Sequence, residues 1–225
     1  FPIKNNLRYS SETLLNDIKN FKTKLKFDLK NSEVDLPLFN YTKKKEDKSK
    51  FEFNFGVNKN IIKLSKINFV SNNNKINIRY LLFDNKFFLK DLGNVNINLG
   101  EKNKLKIFKK NNIYNIVGSS LDLSKYLSQK RKKKSEDLKF KIDGKLKIDL
   151  KKIFIPGDFL IDYKNSMQIR KGEIIKLDSF ANFEDLTAFS HKVITNESGN
   201  KLQVINSDKA KPFLSTYQFL KGIEK

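Results

Sequence analysis

The side chains that could support catalysis or metal binding are few in this chain. The sequence contains no cysteine and one histidine, His191, which excludes a cysteine nucleophile and a thiolate metal site. A catalytic histidine needs a nucleophile or a carboxylate beside it, and a metal-binding histidine needs further ligands. The sequence around His191, Phe-Ser-His-Lys-Val, offers no such partner. We therefore interpret His191 as an ordinary strand residue.

The carboxylates and glycines form no catalytic pattern either. Asp122 and Asp208 each precede a helical pattern, and helix capping is the simplest role for them. Four further aspartates fall on turns or on polar strand positions, without the paired arrangement that a glycosidase requires: Asp143, Asp149, Asp158 and Asp162. The nine glycines are scattered and form no phosphate-binding loop. We predict a protein that is not an enzyme and that needs no cofactor and no metal.

Apolar and polar residues alternate over much of the chain, most clearly over residues 138–151. A period of two predicts a β-strand with one apolar and one wet face. Gly144 interrupts the apolar face of this stretch and indicates a bend, a bulge or a hairpin turn. The apolar positions of the stretch are Leu138, Phe140, Ile142, Leu146, Ile148 and Leu150.

The same alternation recurs in other segments, separated by short clusters of Asn, Lys and Gly. Closely spaced strands joined by turns indicate an antiparallel meander. The fold class that we predict is mainly β, a long curved antiparallel sheet with two or three short helices. Further apolar positions that we expect on the same face are Phe51, Phe53, Phe55, Ile76, Ile78, Val95 and Ile97.

Helical periodicity is confined to three places. The first would follow a cap at Ser10 or Ser11, and its apolar stripe consists of Leu14, Leu15, Ile18 and Phe21. The second covers residues 123–127, after Asp122. The third covers residues 212–221 and ends at Gly222. Three short helices cannot cover so many strands.

The charge of the chain is strongly positive, with 46 Lys and Arg against 25 Asp and Glu and a formal net charge of +21. All but four of the basic residues are lysines, whereas bidentate recognition of phosphates and guanines favours arginine. The two lysine-rich runs, at residues 43–45 and 130–134, are interpreted as solvated loops. We expect residues 1–225 to form one continuous unit with a possible repeat boundary near residues 130–137.

A sheet with one apolar face must bury that face against a second sheet, a barrel interior, helices or a ligand. Helices are too few here, which leaves sheet-on-sheet packing or a groove that holds an apolar guest. The residues predicted on the apolar face are mostly Phe, Ile and Leu. Such a surface suits an acyl chain, because each methylene of the chain gains about 0.8 kcal/mol on leaving water. Composition alone does not separate the groove from an ordinary core.

Two segments in the C-terminal half carry a family resemblance. Residues Gly118–Leu127 contain Gly-Ser-Ser-Leu-Asp-Leu, and Leu202–Leu214 contain Ser-Asp-Lys-Ala-Lys-Pro-Phe-Leu. These resemble the AsmA-like repeat of YhdP-type proteins, which are related to TamB. Asp122 and Asp208 match the motif aspartates. Two departures are visible. Lys209-Ala210 stand where the family usually has Ala-Gly, and Gly222 is followed by Ile223-Glu224 where the family commonly has a pair of glycines.

The resemblance implies a large bacterial envelope protein of which this chain, starting at Phe1, is an internal fragment. It implies a periplasmic β-groove, anchored to the inner membrane by an upstream helix outside this chain. The apolar face would conduct phospholipid between the inner and outer membranes. The expected partners are phospholipid acyl chains, with no nucleic acid. The alternatives are a structural β-sandwich of the adhesin or scaffold type and a lysine-rich nucleic-acid binder.

Overall fold

A computed structural model describes residues 3–4, 8–17, 20–129, 143–170, 173–195 and 200–209. Within these ranges the chain forms strands almost throughout, with a 3-10 turn at Pro37–Phe39 and the helix α1 at Ser124–Gln129. The strands are β1 (Ile3–Lys4), β2 (Arg8–Asp17), β3 (Asn20–Asp28), β4 (Glu33–Leu36), β5 (Tyr41–Lys43), β6 (Ser49–Asn58), β7 (Ile61–Ser71), β8 (Asn74–Asp84), β9 (Leu89–Leu92), β10 (Val95–Leu99), β11 (Asn103–Lys110), β12 (Ile113–Asp122), β13 (Gly144–Ile155), β14 (Asp158–Arg170), β15 (Glu173–Asn182), β16 (Ala188–Thr195) and β17 (Lys201–Ser207).

The predicted mainly β fold is confirmed, and most of the strands belong to one 14-stranded sheet. Its order is β17-β16-β15-β14-β13-β12-β11-β10-β8-β7-β6-β3-β2, with β9 added beside β8. Neighbouring strands are antiparallel except β12 and β13, which are parallel. Strands β1, β4 and β5 form a separate small sheet. Thirteen strands at about 4.8 Å spacing give the sheet a span of roughly 55–60 Å across its strands.

One face of the large sheet is apolar, and we call it the inner face. Strand β10 shows the alternation most clearly, because Val95, Ile97 and Leu99 are buried while Asn96 and Asn98 are exposed. The opposite, outer face carries most of the lysines and asparagines of these strands. Period-two alternation therefore has the consequence that the sequence predicts.

Local irregularities bend the sheet. Registers shift between β6 and β7, between β11 and β12 and between β14 and β15. Lys66 and Asp162 adopt positive φ angles of 52° and 51°, which accompany such bulges. At Gly118 an added Cβ would lie 2.2 Å from the Lys104 carbonyl oxygen, so only glycine fits at this bulge. Bulges increase twist and curve a sheet.

Residues 29–48, the cap segment, lie over one side of the inner face. The Tyr41 ring meets the Phe69 ring edge-on at 6.5 Å, and Asn103 Nδ2 donates to the Phe39 carbonyl oxygen at 2.7 Å. We call this side of the sheet, with the turns at residues 72–73 and 100–102, the cap rim. The opposite side, with the turns at residues 59–60 and 111–112, is the open rim.

The first predicted helix is wrong, because the residues concerned form β2 and β3. The backbones of β2 and β3 pair along their length, with Thr13 opposite Thr23. The alternation of Phe21, Leu25 and Phe27 fixes β3 as a strand. The adjacent pair Leu14-Leu15, which suggested a helical stripe, precedes a register irregularity in β2. Pairing across the sheet thus prevails over weak local helix propensity.

The solvated-loop interpretation of residues 43–45 is also wrong for Lys43. Lys44 and Lys45 are exposed, but Lys43 is 0% exposed. Its Nζ donates to the carbonyl oxygens of Leu29 and Ser32, at 2.6 Å each. This buried ammonium ties β5 to the first residues of the cap segment.

The second predicted helix is confirmed as α1. The third, at residues 212–221, lies outside the described residues, as do the lysine run 130–134 and the boundary predicted near 130–137. The predicted long strand is described from Gly144 onward, where it begins β13 and continues to Ile155. The sequence also favours a single strand over residues 167–177, but the structure divides this stretch between the end of β14 and the start of β15.

Candidate ligand-binding face of the large sheet

Strand register aligns the inner-face side chains into rows that run across the strands. The first row lies beside the cap segment and crosses nine strands, from β3 to β14. Each member is the direct cross-strand partner of the next. The members are Phe27, Phe51, Phe69, Ile76, Ile97, Leu105, Gly118, Leu150 and Tyr163.

The second row lies about two residues farther from the cap rim and crosses the sheet from β7 to β17. Its first six members are β-branched, and its later members include three polar residues. Cross-strand neighbours of this kind pack directly against one another. The members are Ile67, Ile78, Val95, Ile107, Ile116, Ile148, Asn165, Ser179, His191 and Ile205.

A third row follows the open rim in two sections. Most members of this row are half-buried. Positions on the other side of the first row, toward the cap rim, are nearly inaccessible to solvent, as Leu99 and Phe183 show. Burial of the inner face therefore decreases toward the open rim. One section consists of Phe55, Leu64, Leu81 and Leu92. The other consists of Tyr114, Leu146, Met167, Leu177, Val193 and Gln203.

The phenylalanines of β3 and β6 form a continuous aromatic surface within these rows. The Phe27 ring lies 6.0 Å from both the Phe51 and Phe53 rings, which are 5.3 Å from each other. Toward the open rim, Phe21 and Phe55 are 5.5 Å apart. All of these rings are half-buried. Such spacings are favourable for aromatic pairs, and the exposed ring faces offer apolar area to a guest.

The structure brings together all of the predicted lining residues that it describes. Strand register places them on the inner face, either in a row or, for Phe53, between two rows. The described members are Phe51, Phe53, Phe55, Ile76, Ile78, Val95, Ile97, Leu146, Ile148 and Leu150. The other three predicted positions, Leu138, Phe140 and Ile142, lie outside the described residues.

Sequence reasoning missed a polar interruption of the second row. Asn165, Ser179 and His191 are direct cross-strand neighbours on β14, β15 and β16. Burial lowers the pKa of the His191 imidazole, which favours its neutral form. A signal was present, since each residue sits at an apolar parity of its own strand, but their adjacency depends on register.

A second polar cluster lies near the open rim, around Asp91. Its carboxylate accepts hydrogen bonds from Tyr114 at 2.6 Å and from Tyr80 at 3.2 Å, and an ion pair from Lys109 at 3.3 Å. Burial raises the pKa of Asp91, but the bonds from Tyr114 and Lys109 outweigh it and leave this pKa lowered. Burial and the bond to Asp91 raise the pKa of Tyr114. These groups satisfy one another and tie β8, β9, β11 and β12 together.

The outer face is polar and basic. Asn68 Nδ2 donates to Glu52 Oε1 at 3.2 Å, and Asn68 Oδ1 accepts from Asn77 Nδ2 at 2.5 Å, which forms an amide ladder across β6, β7 and β8. Lys75 and Lys104 flank Asn98 in register. The phenylalanines of β6 lie on the other face, away from Lys75 and Lys104, whereas stacking of nucleic-acid bases requires aromatic rings and basic residues on one surface.

The aspartates of the two sequence motifs have structural partners. Asp122 is buried and accepts hydrogen bonds from the backbone N–H and hydroxyl of Ser124, at 3.0 and 2.5 Å, and from Asn40 Nδ2 at 3.0 Å. It thereby joins α1 to the cap segment. Asp208 accepts from the Ala188 N–H at 2.7 Å at the end of β17. Gly222 lies outside the described residues.

Comparison with known proteins gives no assignment, since no family model, no curated protein and no solved structure matches this chain. Over the described ranges, none of the helices has the length and apolar character needed to cross a membrane. The described residues also contain no group of three or more His, Cys, Asp or Glu side chains arranged to hold a metal ion.

Proposed function

We propose that this chain is a non-enzymatic lipid-binding protein whose inner face holds acyl chains. The observation that carries the proposal is the alignment of mostly apolar side chains into rows, the first across nine strands, with most of the row at the open rim only half-buried. The cap segment contacts the cap rim, through Phe69, Asn103 and Asp122. An acyl chain lying along the rows would cover the apolar area that remains.

The energetics favour a long apolar guest. Each methylene transferred from water to an apolar surface gains about 0.8 kcal/mol, and the first row crosses nine strands, roughly 38 Å at about 4.8 Å spacing. Because the inner face between Phe51 and Ile148 has no charged side chain in its first two rows, a headgroup would lie elsewhere. The lysines of the outer face and rims suit contact with anionic lipid headgroups, at roughly 1 kcal/mol per basic residue near such a surface.

The wider setting is part of the same proposal. We place the chain in the bacterial periplasm, as a section of a bridge that conducts phospholipid between inner and outer membranes and is anchored by an upstream helix. This setting is supported by the resemblance of Gly118–Leu127 and Leu202–Leu214 to the AsmA-like repeat. The lipid-binding face is supported independently, by the rows.

Photocrosslinking tests acyl-chain binding directly. The purified chain is incubated with a phospholipid that carries a photoreactive group in its acyl tail, and the crosslinked product is quantified by mass spectrometry. Phe55→Asp places a charge on the third row and should reduce crosslinking about tenfold, because a carboxylate is costly to cover with a hydrocarbon chain. The matched control is Asn54→Asp, one residue away on the outer face, which should crosslink like the wild type.

The outcomes separate the proposal from its alternatives. Equal crosslinking of both variants and the wild type would refute binding at the inner face. No crosslinking, together with a lipid-free mass after gentle purification, would favour the structural scaffold. Loss of the circular-dichroism signal in Phe55→Asp alone would make Phe55 an ordinary core residue. DNA binding that weakens steeply with salt would instead favour the nucleic-acid binder.

A further inference from the structure

The polar residues of the second row leave hydrogen-bonding capacity unused inside an apolar face. Asn165 is only 6% exposed. Its Nδ2 donates to the Tyr163 hydroxyl at 3.3 Å, but its Oδ1 is buried without any partner. His191 Nε2 is likewise buried and unpartnered. Ser179, between them, is satisfied, because its hydroxyl donates to the His191 carbonyl oxygen at 3.0 Å.

This arrangement is costly for folding alone. A buried polar atom without a partner costs on the order of the desolvation of that group, whereas an apolar residue of the same shape is nearly neutral or stabilising. The six preceding members of the row show that apolar residues fit this part of the fold. The two unpartnered atoms lie on β14 and β16, with only β15 between them. They therefore point to a ligand that supplies the missing hydrogen bonds.

We infer that Asn165, Ser179 and His191 form a polar site for the glycerol-ester region of a lipid whose acyl chain lies along the apolar rows. The inference rests on the proposed function and adds the class of lipid to it. Asn165 Oδ1 accepts only, so its partner must be a hydroxyl or another donor. A neutral imidazole nitrogen pairs with an ester carbonyl when it carries hydrogen and with a hydroxyl when it does not. A glycerol ester that keeps a free hydroxyl, such as a monoacylglycerol or a lysophospholipid, supplies both groups, whereas the glycerol of a diacylphospholipid has no hydroxyl.

The placement of the site agrees with a headgroup-proximal position. Asn165 and His191 lie two strand spacings apart, roughly 10 Å. When these two side chains turn toward one ligand, the hydroxyls and the ester of a single glycerol unit can reach both of them. Asn165 is the direct partner of Ile148, where the apolar part of the row begins. A lipid held here would direct its tail toward Ile116 and Ile107. Because water does not reach the two atoms, the ligand must displace neighbouring apolar side chains.

Two oleoyl esters test the site in the whole chain. Monoolein carries two glycerol hydroxyls, and methyl oleate has the same tail and ester without them. Both are titrated against a fluorescent alkyl probe bound to the protein. The wild type should bind monoolein about tenfold more tightly than methyl oleate, as expected for one or two buried hydrogen bonds. Asn165→Leu and His191→Leu should each reduce this ratio to near unity while methyl oleate still binds.

Stability and an outer-face control complete the test. Asn165→Leu should raise the thermal unfolding midpoint of the ligand-free chain, because it removes an unpartnered polar atom, and this shift also shows that the variant folds. Lys192→Leu, next to His191 but on the outer face, should keep the wild-type ratio. Equal affinity of the wild type for both esters, or an unchanged ratio in Asn165→Leu, would overturn this site alone. Displacement by neither ester would refute acyl-chain binding itself.

Discussion

The cap rim and the open rim of the large sheet use the same kind of apolar strand residue in different ways. At the cap rim, Leu99 and Leu150 are buried in one apolar cluster with Leu29, Val34 and Leu36 of the cap segment. At the open rim, Leu146 and Leu64 continue the same faces of their strands but are half-buried. Two exposed apolar residues, Ile61 and Phe87, lie in or beside its turns.

The difference separates stability from binding. Apolar area that is removed from water within the chain stabilises the fold in proportion to that area, so the cap rim contributes most to folding. Apolar area that stays half-exposed contributes less to folding and is available to a ligand. The proposed acyl-chain surface therefore lies on the second and third rows.

The largest expected difference between the rims comes from two leucines of β13. Leu150→Ala removes a 0% exposed side chain and should lower the free energy of unfolding by about 3 kcal/mol. Leu146→Ala, four residues earlier on the same face, should cost about 1 kcal/mol, because the side chain is already partly in water. Urea unfolding of both variants measures the two values. Equal losses would show that the open rim is as well packed as the cap rim.

The buried ammonium of the cap segment gives the next largest effect. Lys43→Met removes the donor from the carbonyl oxygens of Leu29 and Ser32 and should lower the free energy of unfolding by about 1–3 kcal/mol. Lys45→Met, on the exposed side of the same run, should change it by less than about 0.5 kcal/mol. Urea titration compares them. A more stable Lys43→Met would mean that desolvation of the charge outweighs its hydrogen bonds.

The smallest effect concerns the second row, between the two rims, and depends on pH. The pKa of His191 is lowered by burial from its ordinary value of 6.5. Above that value His191 is neutral in both the folded and the unfolded chain and contributes nothing. As the pH falls below about 6.5, the unfolded chain takes up the proton first, so stability decreases until the pH reaches the lower folded pKa.

Thermal unfolding at about pH 7.5 and about pH 5.5 checks this effect. The midpoint of the wild type should fall by more than that of His191→Gln, which lacks the titrating group. Asp178 and Lys192, charged residues of β15 and β16, are opposite each other in register on the outer face, and they remain in both proteins. The same decrease in both would mean that other groups carry the pH dependence.

Much of the fold is predictable because side-chain alternation is local. The face of each lining residue from Phe51 to Ile97 follows from its position in its own strand, whatever its partner is. The error at residues 10–21 has the opposite cause, since β2 gains its strand structure from pairing with β3. The parallel pairing of β12 with β13 also escaped prediction, because it depends on the path of the chain between them.

The candidate site was predictable in composition but not in arrangement. Phe53, Ile78 and Ile148 could be assigned to an apolar face, whereas their order in rows could not. The polar site is the clearest case, because Asn165, Ser179 and His191 are more than ten residues apart in the chain. They meet only because two hairpins hold particular registers, and register depends on turns and bulges beyond each strand.

By itself, the sequence determines a β protein without cysteine chemistry, with one apolar and one lysine-rich face, since charge, composition and period two need no knowledge of contacts. Only the tertiary structure decides which rim is covered, why Lys43 is buried and where the apolar rows turn polar. The physical reason is that burial and hydrogen-bond satisfaction are properties of neighbours. Those neighbours are set by strand pairing between distant parts of the chain.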